Sequence, residues 1–205
     1  LKLKPNYPSA QYNLSMAELL ASGCKIGWQR YEYRFQALKD QDIVNGNPSC
    51  PKWNGEALPK GIKLLLVTEQ GLGDTLQFMR YATALKNQGI SVSLCAPYKL
   101  HALIQASGID PSPLTRKQAS QVTEGEWIPL LSVPKHLEVS PSNPIITEPY
   151  IKTTEKLTAK WAGILGTKEN PVVGINWQGN PKTEKTGLRG RSLALEAFAP
   201  ITSNI

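Results

Sequence analysis

The stretch TEQGLGDTLQF, Thr68 to Phe78, directly follows the apolar run IKLLLV. It sets one acid, Asp74, among small residues at a point where a strand gives way to a helix. Glu69, Gln70 and Gln77 add polar groups around the same place. A carboxylate so placed can act as general base toward an acceptor hydroxyl. Aspartate is also a favoured helix N-cap and satisfies free amides with no chemistry. The polar neighbours, which a purely structural turn would not need, shift the balance toward the first role without removing the second. Gly71 and Gly73 let backbone amides approach a ligand from the helix N-terminus. A dinucleotide fingerprint would require a third glycine where Leu76 stands, and a P-loop would require a lysine that is missing.

A second glycine turn follows the apolar segment PVVGINW, in QGNP. Beyond it Lys182, Lys185, Arg189 and Arg191 face a single acid, Glu184. Taken alone, such a cluster is either a solvated loop or a phosphate-binding loop. Among the five tryptophans, whose spacing suits a core, Trp177 at a strand end is the one placed to stack on a ligand.

These turns need a scaffold. Strand and helix patterns alternate: Ile62 to Val67, a helix from Asp74 to Asn87, Ile90 to Cys95, and a helix from Tyr98 to Ala106. The short strand EWIPLL, a helix from Thr153 to Leu165 and the buried strand PVVGINW follow, and SLALEAFAPI should be helical. This rhythm predicts an α/β fold with a parallel sheet. Ahead of it, Ala10, Leu14, Ala17 and Ala21 mark one helix, Gly23 a stop, and Trp28, Tyr31 and Phe35 a second, aromatic helix. Helix, glycine turn and helix is the layout of one tetratricopeptide repeat. A lone repeat cannot bury its own face, so either earlier repeats precede it or the aromatic helix packs on the α/β region. The Pro-, Gly- and Asn-rich residues 40–61 form a linker that packs through Trp53.

The 205 residues are 40% hydrophobic, which excludes a disordered chain. No apolar run is long enough to span a membrane. The net charge of +7 is spread along the chain, so no nucleic-acid partner is indicated. Three cysteines without a CxxC pair suggest neither a disulfide framework nor a metal site, and fit a reducing cytoplasm.

Several motifs occur in order along nearly the whole chain. They are GW-x-x-YE-x-R (Gly27, Trp28, Tyr31, Glu32, Arg34), W-x-G-x-x-L (Trp53, Gly55, Leu58) and EQGLGD-x-x-QF-x-RY (Glu69 to Tyr81). IPLLSVP (Ile128 to Pro134), PYI (Pro149 to Ile151) and VGINWQGNP with RGRSL (Val173 to Leu193) follow. In these the chain resembles bacterial tetratricopeptide-repeat proteins with a glycosyltransferase region of the heptosyltransferase and O-linked N-acetylglucosamine transferase type.

The resemblance implies a GT-B architecture. Residues 1–39 would be a repeat-like helical hairpin and 40–61 a linker. Residues 62–168 would form a Rossmann-like acceptor-side domain, and 169–205 the start of an incomplete donor-side domain. It implies inverting, metal-independent transfer of a sugar from a nucleotide-sugar donor to a hydroxyl of a glycan or protein, with no cofactor, and protein partners held by the repeat helices. Asp74 would be the base, with Gly71, Gly73 and Gln77 beside it. Gly179, Asn180, Arg191 and Ser192 would contact the donor phosphates, with Trp177 nearby, which favours the phosphate-loop role of the basic cluster. A chain lacking most of the donor side should be inactive by itself. The alternative is a non-catalytic module that holds a protein or glycan partner. No histidine lies near the glycine turn, whereas the protein O-glycosyltransferases place one in their cleft, and His101 and His136 read as ordinary, partly exposed residues.

Overall fold

The computed structural model describes residues 4–39, 41–69, 71–166, 172–179 and 192–202. Gln70, Asn180, Lys182, Glu184, Lys185, Arg189 and Arg191 lie outside these residues. The chain divides into two compact units, Leu1–Thr153 and Thr154–Ile205.

The first unit opens with α1 (Pro8–Leu20), whose proline sits in the first turn, where its missing N–H costs nothing. Helix α2 (Cys24–Tyr31) folds back against α1. Gly27 permits the close approach, because a Cβ there would lie 2.9 Å from Leu19 Cγ. The aromatic helix does not run through to Phe35. It breaks after Tyr31 and resumes as α3 (Arg34–Ala37), with Arg34 fully buried at its start. The Trp28 indole N–H donates to the Val139 carbonyl at 2.9 Å, and its ring meets Phe78 edge-on at 6.2 Å. The hairpin therefore packs on the α/β part, as expected for a helix pair too small to bury its own apolar face.

The sheet has three parallel strands, β1 (Lys63–Val67), β2 (Ser91–Cys95) and β3 (Glu126–Pro129), in the order β2-β1-β3. Leu66 of β1 stands opposite Leu94 and Ile128. The α/β fold with a parallel sheet expected from the strand–helix rhythm is present, and is compatible with half of a Rossmann-like sheet. Leu64 and Leu66 face one apolar cluster with Leu85, Ile104 and Ile128, while Leu65 and Val67 face another with Cys95 and Ala119. A strand buried on both faces reads as a continuous apolar run, which is why IKLLLV was recognisable. Gly125, at φ +84°, brings the chain into β3. A side chain there would lie within 2.4 Å of the Lys63 carbonyl oxygen.

The expected helix over 74–87 is two helices, α4 (Leu72–Phe78) and α5 (Arg80–Asn87), separated at the fully buried Met79. The expected helix over 98–106 is a 3₁₀ turn, Tyr98–Leu100, followed by α6 (His101–Ala106). Short helices α7 (Arg116–Ala119) and α8 (Val133–His136) complete this unit. Trp53 anchors the linker: its backbone N–H donates to the Trp127 carbonyl at 2.7 Å and its ring is buried. Further back, Asn45 N–H donates to the Thr68 carbonyl at 2.8 Å, so the linker also crosses the carboxyl end of β1.

In the second unit, α9 (Glu155–Leu165) starts at Thr154, whose hydroxyl accepts the Leu157 N–H. The buried strand expected in PVVGINW is absent: residues 172–179 pair with no strand, and Val172 and Val173 are half exposed. A parallel strand exists only with hydrogen-bonded neighbours. Among the described residues of this unit there is no strand to pair with, so the apolar composition alone does not make one. The expected helix in SLALEAFAPI is a 3₁₀ segment, Leu195–Phe198, followed by α10 (Ala199–Thr202).

Candidate functional site

The chain leaves β1 through buried Thr68 and Glu69 and emerges at Gly71. Gly71, not Asp74, is the N-cap of α4, with extended backbone at φ −85° and ψ 169°. Asp74 stands three residues in, where its Oδ2 accepts the Gly71 N–H at 3.2 Å. The capping expected of Asp74 is thus made from inside the helix, in the manner of the acidic partner of a capping box. Asp74 is half-buried, and its Oδ1 has no hydrogen-bond donor among the described residues. Gly71, Leu72, Gly73 and Gln77 are exposed beside it.

Gly73 is not required by the fold. Its φ is not positive, and a Cβ built on it meets nothing within 4 Å. Glycine in the middle of a helix costs roughly 0.5–1 kcal/mol relative to alanine. Gly73 stands in the first turn of α4, where the cost is smaller, and neither a positive φ nor close packing accounts for it.

Glu69 does not join the exposed polar face. It is 0% exposed and is spent on Arg34, also 0% exposed, in a two-pronged ion pair. Arg34 Nε donates to Oε2 at 2.8 Å and Nη2 to Oε1 at 2.9 Å. Arg34 Nη1 donates to Glu32 Oε1 at 2.8 Å and to the Tyr31 carbonyl at 3.2 Å, and Nη2 donates to Ser132 Oγ at 2.8 Å. Leu131 N–H donates to Glu69 Oε1 at 3.1 Å, and the Ser132 hydroxyl to Glu32 Oε1 at 2.8 Å. Burial alone would raise the Glu32 carboxyl. The Arg34 charge and hydrogen bond, with the Ser132 hydroxyl, outweigh it and hold the carboxyl below the ordinary glutamate value. Residue-type reasoning did not single out Arg34 or Ser132 as partners. The available signal was a charged residue, Glu69, placed immediately after a run of buried ones.

The far end of α4 is held as well. The Tyr150 hydroxyl donates to the Leu76 carbonyl at 2.6 Å, and Arg80 Nη2 donates to that hydroxyl at 3.3 Å. The motifs YE-x-R, EQGLGD, IPLLSVP and PYI therefore converge on one helix and the turn that leads into it.

Other reactive groups lie elsewhere. His101 sits with Nε2 2.9 Å from the Ala96 carbonyl. His136 packs against Trp53 with ring centroids 5.0 Å apart and the planes tilted by 39°, and burial, helped by Lys135, pushes its pKa down. The Cys95 thiol is fully buried and pushed up to about 12 by that burial, so it is inert as a nucleophile. A cavity of about 630 Å³, lined by Trp53, Lys60, Gln88 and His136, opens at the amino-terminal ends of β1 and β2, away from the glycine turn.

In the second unit, Gly179 N–H donates to Ser192 Oγ at 2.9 Å and Leu193 N–H to the Trp177 carbonyl at 2.9 Å. Three of the residues expected near donor phosphates are thus neighbours, and Trp177 is 39% exposed. Trp177 does not end a strand. Asn180 and Arg191 are outside the described residues.

Among the described residues no cluster of His, Cys, Asp or Glu could hold a metal ion, and no helix is long and apolar enough to cross a membrane. Comparison with family models, curated proteins and solved structures finds no match.

Proposed function

We propose that this chain belongs to a glycosyltransferase of GT-B type that moves a sugar from a nucleotide-sugar donor to a hydroxyl acceptor with inversion, and that Asp74 is its general base. The acceptor oxygen attacks the anomeric carbon as the bond from that carbon to the diphosphate breaks. The hydroxyl proton passes to Asp74 Oδ1, and the nucleoside diphosphate leaves with the bonding electrons. Gly71, Gly73 and Gln77 border the acceptor. The assignment of Trp177, Gly179, Asn180, Arg191 and Ser192 to the donor rests on the sequence resemblance, as does that of α1 and α2 to a repeat hairpin that holds protein partners.

The observation that carries the reading is the pairing of Gly73 with Asp74. A glycine whose added Cβ would meet nothing within 4 Å lies beside a carboxylate with one oxygen held and the other without a donor among the described residues, at the carboxyl end of a parallel strand. That is where open α/β sheets bind ligands. A second reading, a module that binds without turnover, is favoured by the Gly179 N–H, which is already bonded to Ser192 and so is not offered to a phosphate.

The test is Asp74→Asn in the full-length protein. Asparagine can still accept the Gly71 N–H, so only the interaction of the charge with the helix N-terminus is lost, about 0.3–1 kcal/mol. Transfer should fall roughly a hundred-fold or more while the fold and donor affinity persist. That small loss of stability with an unchanged rate would reduce Asp74 to a cap and leave the binding module.

A further inference from the structure

We propose that Arg34 is a positioning residue for the glycine turn, acting through Glu69 to set where Gly71 and Asp74 stand. The inference rests on the role given to Asp74 above. Arg34 belongs to the helical hairpin, Glu69 to the chain leaving β1, and Leu131 with Ser132 to the turn leaving β3. All five guanidinium N–H groups are used: two on Glu69, and one each on Glu32, Ser132 and the Tyr31 carbonyl. A planar fork with every donor engaged fixes direction as well as distance, which a lysine could not do.

A buried ion pair is weak evidence of stabilisation, since well-packed apolar residues often serve as well or better. What this one supplies and an apolar pair would lack is orientation. Glu69 lies two residues before Gly71 and five before Asp74, so its anchoring determines where the exposed turn begins. Glu69 Oε1 also takes the Leu131 N–H, which ties the exits of β1 and β3 together at the same edge of the sheet.

The experiment follows the Gly71 amide, whose N–H Asp74 accepts, by ¹⁵N NMR at neutral pH. Asp74→Asn identifies how far the Gly71 resonance moves when this carboxylate is replaced. Arg34→Met/Glu69→Gln removes both buried charges and still leaves an oxygen for Leu131 N–H. If Arg34 positions the turn, this variant should stay folded, and adding Asp74→Asn to it should move the Gly71 resonance by less than half as much as in the wild type. A folded double variant in which Asp74→Asn moves Gly71 as far as in the wild type overturns the proposal. Ser132→Ala, a mild change that deletes one Arg34 partner, should displace the Gly71 resonance. No displacement there overturns the proposal whether or not the double variant folds. Because the readout is not turnover, a protein that transfers no sugar refutes the proposed function while leaving this result to stand or fall separately.

Discussion

Two carboxylates, five residues apart at the end of one strand, have opposite surroundings. Glu69 has no exposed surface and is held by Arg34 and by the Leu131 N–H. Asp74 is half-buried and, among the described residues, held through one oxygen by one N–H. A carboxylate with its oxygens engaged by buried donors is part of the frame. One with an oxygen open to an exposed face can still do chemistry. Residue type does not separate the two, but environment does. Glu69 is held from several directions and Asp74 from one, and that contrast sets the two carboxylates apart.

The contrast breaks most visibly on the framed side. Arg34→Met leaves Glu69 buried without its counter-ion, and removing one partner of a buried pair typically costs about 3–5 kcal/mol. Denaturant unfolding should show a loss of that size. A loss under about 1 kcal/mol would mean that water or another cation reaches Glu69 and that the frame is not as closed as described.

Much of this framed side was legible in the sequence, and the reason is physical. The run at Leu64 to Val67 is apolar throughout because both faces of a parallel strand are covered. Trp53 in a Pro- and Gly-rich linker had to find a core, and it did. The aromatic helix around Trp28 had too little surface of its own to bury and packs beside Phe78. The Arg34–Glu69 pair was not legible, since two ordinary charges 35 residues apart carry no sign of partnership until the fold joins them. The break at Met79 was hidden because apolar periodicity runs on across a short irregularity. Val172 to Trp177 misled for the converse reason: the residues suit a strand, but strand formation depends on neighbours that a local pattern cannot supply.

A smaller effect sharpens the frame. The Glu32 carboxyl titrates below its ordinary 4.5, held there by Arg34 against the opposing effect of burial. A depressed folded value means that its stabilisation is complete above 4.5 and drains away as pH falls through the lowered value. Glu32→Gln should therefore lower stability near neutrality by about 1.5 kcal/mol, the lower end for a hydrogen bond to a charged group. It should also flatten the acid limb of a stability–pH curve measured by urea unfolding. An acid limb identical to the wild type would remove Glu32 from the network's energetics.

The smallest change in stability tests the central contrast most directly. Gly73→Ala adds a methyl group that meets nothing within 4 Å, in the first turn of α4, where alanine is favoured by less than the roughly 0.5–1 kcal/mol of a mid-helix position. If the downstream half of the turn is kept open for a ligand, the variant should be slightly more stable yet weaker in acceptor binding and transfer, measured on the same preparation of the full-length protein. A variant that gains stability and keeps full binding and transfer would contradict the account, because the glycine would then serve neither the fold nor a ligand.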